Sequence, residues 1–200
     1  MYWKYLKALL RHKWFVLVEC VRLGVPLLGI LHDWSKFLPS EFIPYAQRFY
    51  GNTMRYDDDR ILRAFALHYK RNAHHWQFWL CQGYQEDGWH IRGANGVYEI
   101  WRDAGDYARV AFRGSFQYNS QDFVLFALRQ CQTPVPMPDR YRREMLADWI
   151  GAGKAYGKQE GNNNDPDTKQ WYLDNKDKII LHPETRAWIE EQLGVADAVL

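Results

Sequence analysis

The sequence is short of cysteine: three in 200 residues, Cys20, Cys81 and Cys131, with no CxxC pair. An odd and widely spaced set excludes a disulfide scaffold and fits a reducing cytoplasm. Long apolar runs are also missing. The N-terminal stretch is apolar in patches, but Lys4, Lys7, Arg11, His12, Lys13, Glu19 and Arg22 interrupt it. No run reaches the roughly 18 residues that a membrane span needs. No small-residue cleavage site follows a clean apolar core. The stretch therefore reads as an amphipathic core helix, with no membrane partner expected. A charge bias is absent too: 26 basic residues stand against 24 acidic ones, a net charge of +2. Bulk nucleic-acid binding is not expected from this balance, and any basic patch must be local. There is no internal repeat.

What is present is a globular composition, 47% hydrophobic and 25% charged, long enough to bury one proper core. Aromatics reach 16% with ten tryptophans, enough to build rigid walls for a core, a flat ligand or a homodimer contact. Apolar residues from Leu6 to Leu23 recur at helical spacing. Gly24 and Pro26 break that helix, and Val25–Lys36 reads as a short helix and its exit. Pro39-Ser40-Glu41-Phe42 opens another helix that Gly51-Asn52 closes. The acids Asp57 to Asp59 lead into a predicted long helix over 60–80. Between Gly83 and Tyr118 glycines multiply, and residues 97–101 and 107–112 alternate like strands around a turn at 103–106. Residues 120–130 return to a helical pattern, and 133–138 form a stiff proline-rich linker. Residues 139–149, 170–180 and 183–193 read as helices, with a polar loop over 157–168. The expected fold class is mainly all-α, one domain over 1–200, with a β-hairpin and a helix over 83–132.

Five of the seven histidines lie in the helical first half. On the predicted 60–80 helix, His68, Asn72, His75 and Trp79 share one face and His74 points elsewhere. His68 and His75 would then stand about 10 Å apart along the axis, too far to grip one ion. His32-Asp33 ends an apolar segment, where both side chains can reach one cation. Asp148 sits among Met145, Leu146, Trp149 and Ile150. A carboxylate in that company needs a partner. A metal ion is one such partner; a buried arginine or a helix N-terminus is the other. Lys36, three residues past Asp33, is placed to neutralise phosphate charge. Arg71 and Asn72 near His68, and the acids Glu41 and Glu144, are further candidates. Each also has a plain reading as surface charge, cap or helix packing.

The order His12, His32-Asp33, His68, Asp148 resembles the H…HD…H…D signature of the HD-domain superfamily of metal-dependent phosphohydrolases. The strings HDWSKF with PSEF, EMLADWIGAGKA and WYLDNKDKIILHPETR resemble a narrower group of short HD-like proteins of unassigned function in phages and bacteria. The resemblance is weakest over 83–132, which it marks as an insertion in an HD-like helical bundle. It implies that His12, His32, Asp33 and Asp148 bind a metal and that His68 ligates metal or contacts phosphate. Asp33, Lys36 and His68 would be catalytic, and Lys36, Arg71, Asn72 and His75 would hold substrate. The implied cofactor is one or two divalent ions: manganese, iron, cobalt, nickel or zinc, with magnesium as a further candidate. The implied reaction is attack of metal-activated water on phosphorus, and the implied substrate is a small phosphorylated molecule, foremost a nucleotide, in the cytoplasm of a bacterium or phage-infected cell. Two rivals stay open: an HD-fold di-iron oxygenase using His74 and His75 as well, and a non-catalytic nucleotide- or protein-binding protein.

The aromatics Tyr98, Trp101, Tyr107, Phe112, Phe116 and Tyr118, interleaved with Arg92, Arg102, Arg109 and Arg113, could form a base-stacking lip or simply cap the core. Lys176, Lys178 and His182 are weaker candidates for a phosphate contact.

Overall fold

The computed structural model describes residues 1–51, 53–55, 58–82, 89–94, 97–102, 107–111, 132–156 and 168–195. The described residues are mostly helical. The chain forms two compact units, Met1–Trp79 with Pro136–Leu200, and Leu80–Val135.

Among its described residues the first unit has seven α-helices: α1 (Tyr2–Arg22), α2 (Pro26–Leu31), α3 (Pro39–Tyr50), α4 (Asp59–Arg71), α5 (Asp139–Tyr156), α6 (Thr168–Asn175) and α7 (Pro183–Leu193). Short 3-10 turns lie at Trp34–Phe37, Trp76–Trp79 and Lys176–Lys178. Proline opens α2, α3 and α7, where its fixed φ suits the first turn and its missing N–H costs nothing. Asp58 caps α4 by accepting from the Arg60 N–H at 2.9 Å. Among the described residues, no helix is long and apolar enough to cross a membrane.

The second unit carries five short strands. β1 (Leu80–Gln82) pairs antiparallel with β5 (Gln132–Pro134), placing Cys81 opposite Thr133. β2 (Trp89–Ala94), β3 (Val97–Arg102) and β4 (Tyr107–Ala111) form an antiparallel meander with Ile91 opposite Ile100 and Glu99 opposite Arg109. The helix expected over 120–130 and most of the polar loop at 157–168 lie outside the described residues. So do Phe112, Arg113, Phe116 and Tyr118 of the expected aromatic lip, and the side chains of its other members.

Two expectations are corrected. The 60–80 helix stops at Arg71, and residues 76–79 form a 3-10 turn instead. The buried stripe Ile61, Ala64, His68 explains the stop, because its next helical positions are Arg71 and Asn72, both polar. The 170–180 helix stops at Asn175, and Ile179 and Leu181 enter the core as extended chain.

Three apolar clusters hold the first unit. Tyr5, Leu9, Tyr45, Ala46, Met54, Ile61 and Ala64 pack α1 against α3 and α4. Met137, Met145, Leu146, Tyr172, Ile179, Leu181 and Ile189 join α5 to the C-terminal helices. Val16, Cys20 and Ala147 join α1 to α5. The α1–α5 contact is a backbone approach: a Cβ on Gly151 would stand 2.6 Å from Val16 Cγ2 and 2.9 Å from the Val16 backbone nitrogen. Lys154 Nζ donates to the buried Glu19 Oε1 at 2.7 Å across the same seam.

Gly151→Ala gains about 1 kcal/mol of helix propensity, yet it should lower stability by about 1–3 kcal/mol through overpacking. Urea unfolding reads the sign. A stabilised variant would mean that α1 and α5 do not approach this closely.

Candidate metal centre

His12 lies in the buried stripe of α1, between Leu9 and Val16. An imidazole in that stripe points into the same interior as its apolar neighbours. On α5, Glu144 and Asp148 stand one turn above each other in line with Gly151, so they face α1. α2 ends at Leu31; His32 is extended (φ −49°, ψ 132°) and Asp33 is left-handed (φ +53°, ψ 26°). This break turns two consecutive side chains toward one point. Asp33 is the one non-glycine residue with positive φ among the described residues. Aspartate tolerates that region better than most side chains. Lys13 Nζ secures the turn by donating to the carbonyls of His32 and, at 3.3 Å, Ile30.

The Asp33 carboxylate sits between two groups of imidazoles. Its Oδ2 is 3.5 Å from His12 Nε2 and 3.4 Å from His32 Nε2. Asp148 Oδ1 closes this side at 3.1 Å from His12 Nε2 and 3.3 Å from His32 Nε2. Asp33 Oδ1 is 3.3 Å from His68 Nε2 and 3.5 Å from His74 Nε2. His75 Nε2 lies 2.8 Å from His68 Nε2. Three groups of donor atoms each fall within 4.8 Å: His12, His32 and Asp33; Asp33, His68, His74 and His75; and His32, His74 and Asp148.

A second layer fixes the imidazoles. Glu144 Oε1 accepts from His32 Nδ1 and from His74 Nδ1, each at 3.1 Å. Glu41 Oε2 accepts from His68 Nδ1 at 2.9 Å and from the Ser35 hydroxyl at 2.8 Å. Holding Nδ1–H in this way leaves the Nε2 lone pair facing inward, as a metal ligand requires. The inner atoms Asp33 Oδ1 and His74 Nε2 are buried and lack a hydrogen-bond partner. Unsatisfied buried groups cost about 1–3 kcal/mol each. A cation among these acceptors would satisfy them, so the residues fit a metal.

The charges agree. Asp33, Glu41, Glu144 and Asp148 face three described lysine and arginine cations, Lys36, Arg71 and Lys13. With neutral imidazoles, one negative charge remains uncompensated. Burial opposes ionisation of Asp33 and Asp148, but their histidine neighbours, with Lys36 for Asp33, hold both carboxyls well below the usual range. Burial likewise opposes a charge on His32, and Asp33, Asp148 and Glu144 outweigh it, raising its pKa well above the ordinary value. Burial, with His32, lowers the pKa of His74; burial, with His74 and His68, lowers that of His75 further. These two rings are neutral donors.

The structure thus brings His12, His32, Asp33, His68 and Asp148 together. Lys36 Nζ donates to Asp33 Oδ2 at 2.5 Å. Arg71 and Asn72 do other work than expected. Arg71 donates to Glu41 Oε1 at 2.7 Å and Ser40 Oγ at 3.1 Å. Asn72 donates to Ser35 Oγ at 2.7 Å and to the His68 carbonyl at 2.8 Å. Both therefore brace the second layer. His74 and His75 are corrected as well: the early end of α4 folds the chain back, so His75 meets His68 and His74 enters the centre. Glu144 and Glu41 are buried, not surface acids. His182 caps α7 by accepting from the Glu184 N–H at 3.2 Å.

A family model described as a family of unknown function, DUF5662, matches residues 1–100 and 116–195, and the chain belongs to that family. No curated protein and no solved structure matches it.

Removing the shared anchor should loosen two ligands at once. Glu144→Ala is expected to weaken cation binding by about 10–100-fold with the helical circular dichroism retained. Glu144→Gln, which keeps an acceptor oxygen, should lose less. Calorimetric titration with manganese measures both. The pKa of His32 is raised by Asp33, Asp148 and Glu144 against the cost of burial, so a cation bound at His32 competes with a proton. Affinity should therefore rise with pH, by about tenfold per unit for one released proton. Equal affinity at pH 6.5 and 8.5 would mean that no proton is displaced from His32 on binding.

Proposed function

We propose that this DUF5662 member is a metal-dependent phosphohydrolase acting on a small phosphorylated substrate, foremost a nucleotide. The observation that carries the reading is the Asp33 carboxylate, shared between two groups of inward-facing imidazole nitrogens, with Lys36 donating to its Oδ2. In this reading the helical unit is HD-like, and residues 83–132 are an insertion in it. The cytoplasm is the compartment in which its cysteines stay unpaired.

His12, His32, Asp33 and Asp148 would hold one divalent ion. His68, His74 and His75, with Asp33, would hold a second. A divalent ion so placed acidifies a water and polarises a phosphoryl oxygen. The chain supplies the rest. Glu144 and Glu41 keep the imidazoles in one tautomer. Lys36, whose ammonium the adjacent Asp33 keeps charged against the cost of burial, meets the phosphoryl group and offsets charge that grows there. The oxygen of water would bond to phosphorus, the ester P–O bond would break, and the leaving oxygen would take up the proton that the water gives up. A second reading, a di-iron oxygenase on the same scaffold, is favoured by the histidine-rich side formed by His68, His74 and His75.

Elemental analysis of wild type beside Asp33→Ala and Asp148→Ala tests the proposal. About one or two equivalents of transition metal should be present in wild type and lost in each variant, together with phosphatase activity, while the helical signal persists. Metal and activity surviving in either variant would refute the ligand set. Two irons and an oxygen requirement would select the second reading. Nucleotide binding without turnover in the metal-loaded protein would make the chain a binding protein.

A further inference from the structure

A cavity of about 440 Å³ opens beside the candidate centre, and Lys36 and His68 belong to its wall. The rest of the lining is almost wholly aromatic. Five tyrosines contribute: Tyr5, Tyr45, Tyr50, Tyr69 and Tyr156. Leu9, Phe49 and Phe65 complete it. Among the described lining residues there is no carboxylate, and Lys36 is the one lysine or arginine. The nearby cations are engaged elsewhere, Arg71 with Glu41 and Lys13 with backbone carbonyls. Tyr156 stacks on His12 with ring centres 5.7 Å apart and planes 19° off parallel, so the aromatic wall runs directly into the ligand set.

Tyr5 carries a second, independent signal. It is 7% exposed, and its hydroxyl has no hydrogen-bond partner. Its ring is wedged against Phe42 at 5.0 Å, Tyr50 at 5.8 Å and Tyr45 at 6.4 Å. A buried phenol normally finds a partner. Here the free oxygen belongs to a side chain that lines the cavity.

We propose that the cavity binds the organic part of the substrate: a flat, uncharged ring held between the tyrosines and hydrogen-bonded by Tyr5, joined to a single phosphoryl group at Lys36. This rests on the phosphohydrolase reading above and narrows it to monophosphate esters of ring-bearing alcohols. Nucleoside monophosphates and aryl phosphates share that chemistry. The volume lies within the roughly 300–1,000 Å³ of small-ligand pockets. Aromatic faces favour flat partners in offset or edge contact. Further phosphoryl groups would add negative charge where the described lining offers no lysine or arginine besides Lys36, so di- and triphosphates are disfavoured. With the phosphoryl group at Lys36 and the ring in the cavity, cleavage of the ester bond leaves the ring-bearing alcohol among the tyrosines and inorganic phosphate at the centre.

The test separates this proposal from the reading it rests on. Calorimetry on the metal-loaded protein compares phenylphosphonate with methylphosphonate, neither of which has an ester bond to cleave. Phenylphosphonate should bind at least about tenfold more tightly, and Phe49→Ala should shrink that ratio. Tyr5→Phe should weaken AMP, whose base offers polar atoms, about tenfold more than it weakens phenylphosphonate. In hydrolysis, AMP and phenyl phosphate should be turned over well ahead of glycerol 3-phosphate and ATP. Equal phosphonate affinities, or glycerol 3-phosphate cleaved as fast as AMP, would overturn the ring site while leaving the phosphohydrolase intact. ATP preferred over AMP would overturn the single-phosphoryl limit. Ring-selective binding with no ester cleaved would sustain the cavity and refute the hydrolase.

Discussion

The first unit is organised around one buried charge, the carboxylate of Asp33. It is 1% exposed, close to Lys36, His12, His32, His68 and His74, and held on a left-handed backbone. A carboxylate removed from water costs several kcal/mol unless partners surround it. Positive φ on a residue other than glycine adds roughly 1–2 kcal/mol. Both costs are met at one residue. The turn at 32–33 allows this, because a continuing helix would carry His32 and Asp33 to different faces.

The surroundings follow from that residue. His12 reaches it because α1 and α5 touch backbone to backbone at Val16 and Gly151, which brings Asp148 level with His12. The early end of α4 brings His74 and His75 back toward His68. Glu144 and Glu41 then settle the tautomers of three of the five rings from behind. The polar network is layered: acids outside, imidazoles within, and Asp33 at the middle. Packing around it is apolar, and that raises the strength of every charge interaction inside.

Parts of this were legible in the sequence. His12 entered only through the order of the H…HD…H…D resemblance, since it read locally as one of the polar breaks in an apolar stretch, whereas Asp148 among apolar neighbours demanded a partner. His32-Asp33 at the end of an apolar segment marked a place where adjacent side chains can converge. The second side of the centre was not legible, because it depends on where α4 ends. Periodicity carried the helix on to residue 80, which separated His75 from His68 and sent His74 away. The one available signal was the pair Arg71 and Asn72 at the positions where the buried stripe should have continued. The roles of Glu144 and Glu41 were hidden for another reason. An acid on a helix reads as solvent-facing until the neighbouring helix supplies a histidine. The tyrosine cavity was hidden because its members come from α1, α3, α4 and α5, and no local pattern joins them.

A purely structural origin for the network is hard to reconcile with its energetics. Buried ion networks are commonly no more stabilising than apolar side chains of similar volume. The three apolar clusters around this one already join α1 to α3, α4 and α5 without it. An apolar residue at position 12 or 148 would extend the existing core. Instead the chain places acceptors against acceptors, His68 Nε2 facing Asp33 Oδ1 and Asp33 Oδ1 facing His74 Nε2. It then leaves Tyr5 with an unbonded hydroxyl in the adjoining cavity. Each feature is a cost to the fold taken alone. Together they fit the proposed cation on one side and the proposed ring on the other, and Lys36 and His68 stand where the two sets of residues meet.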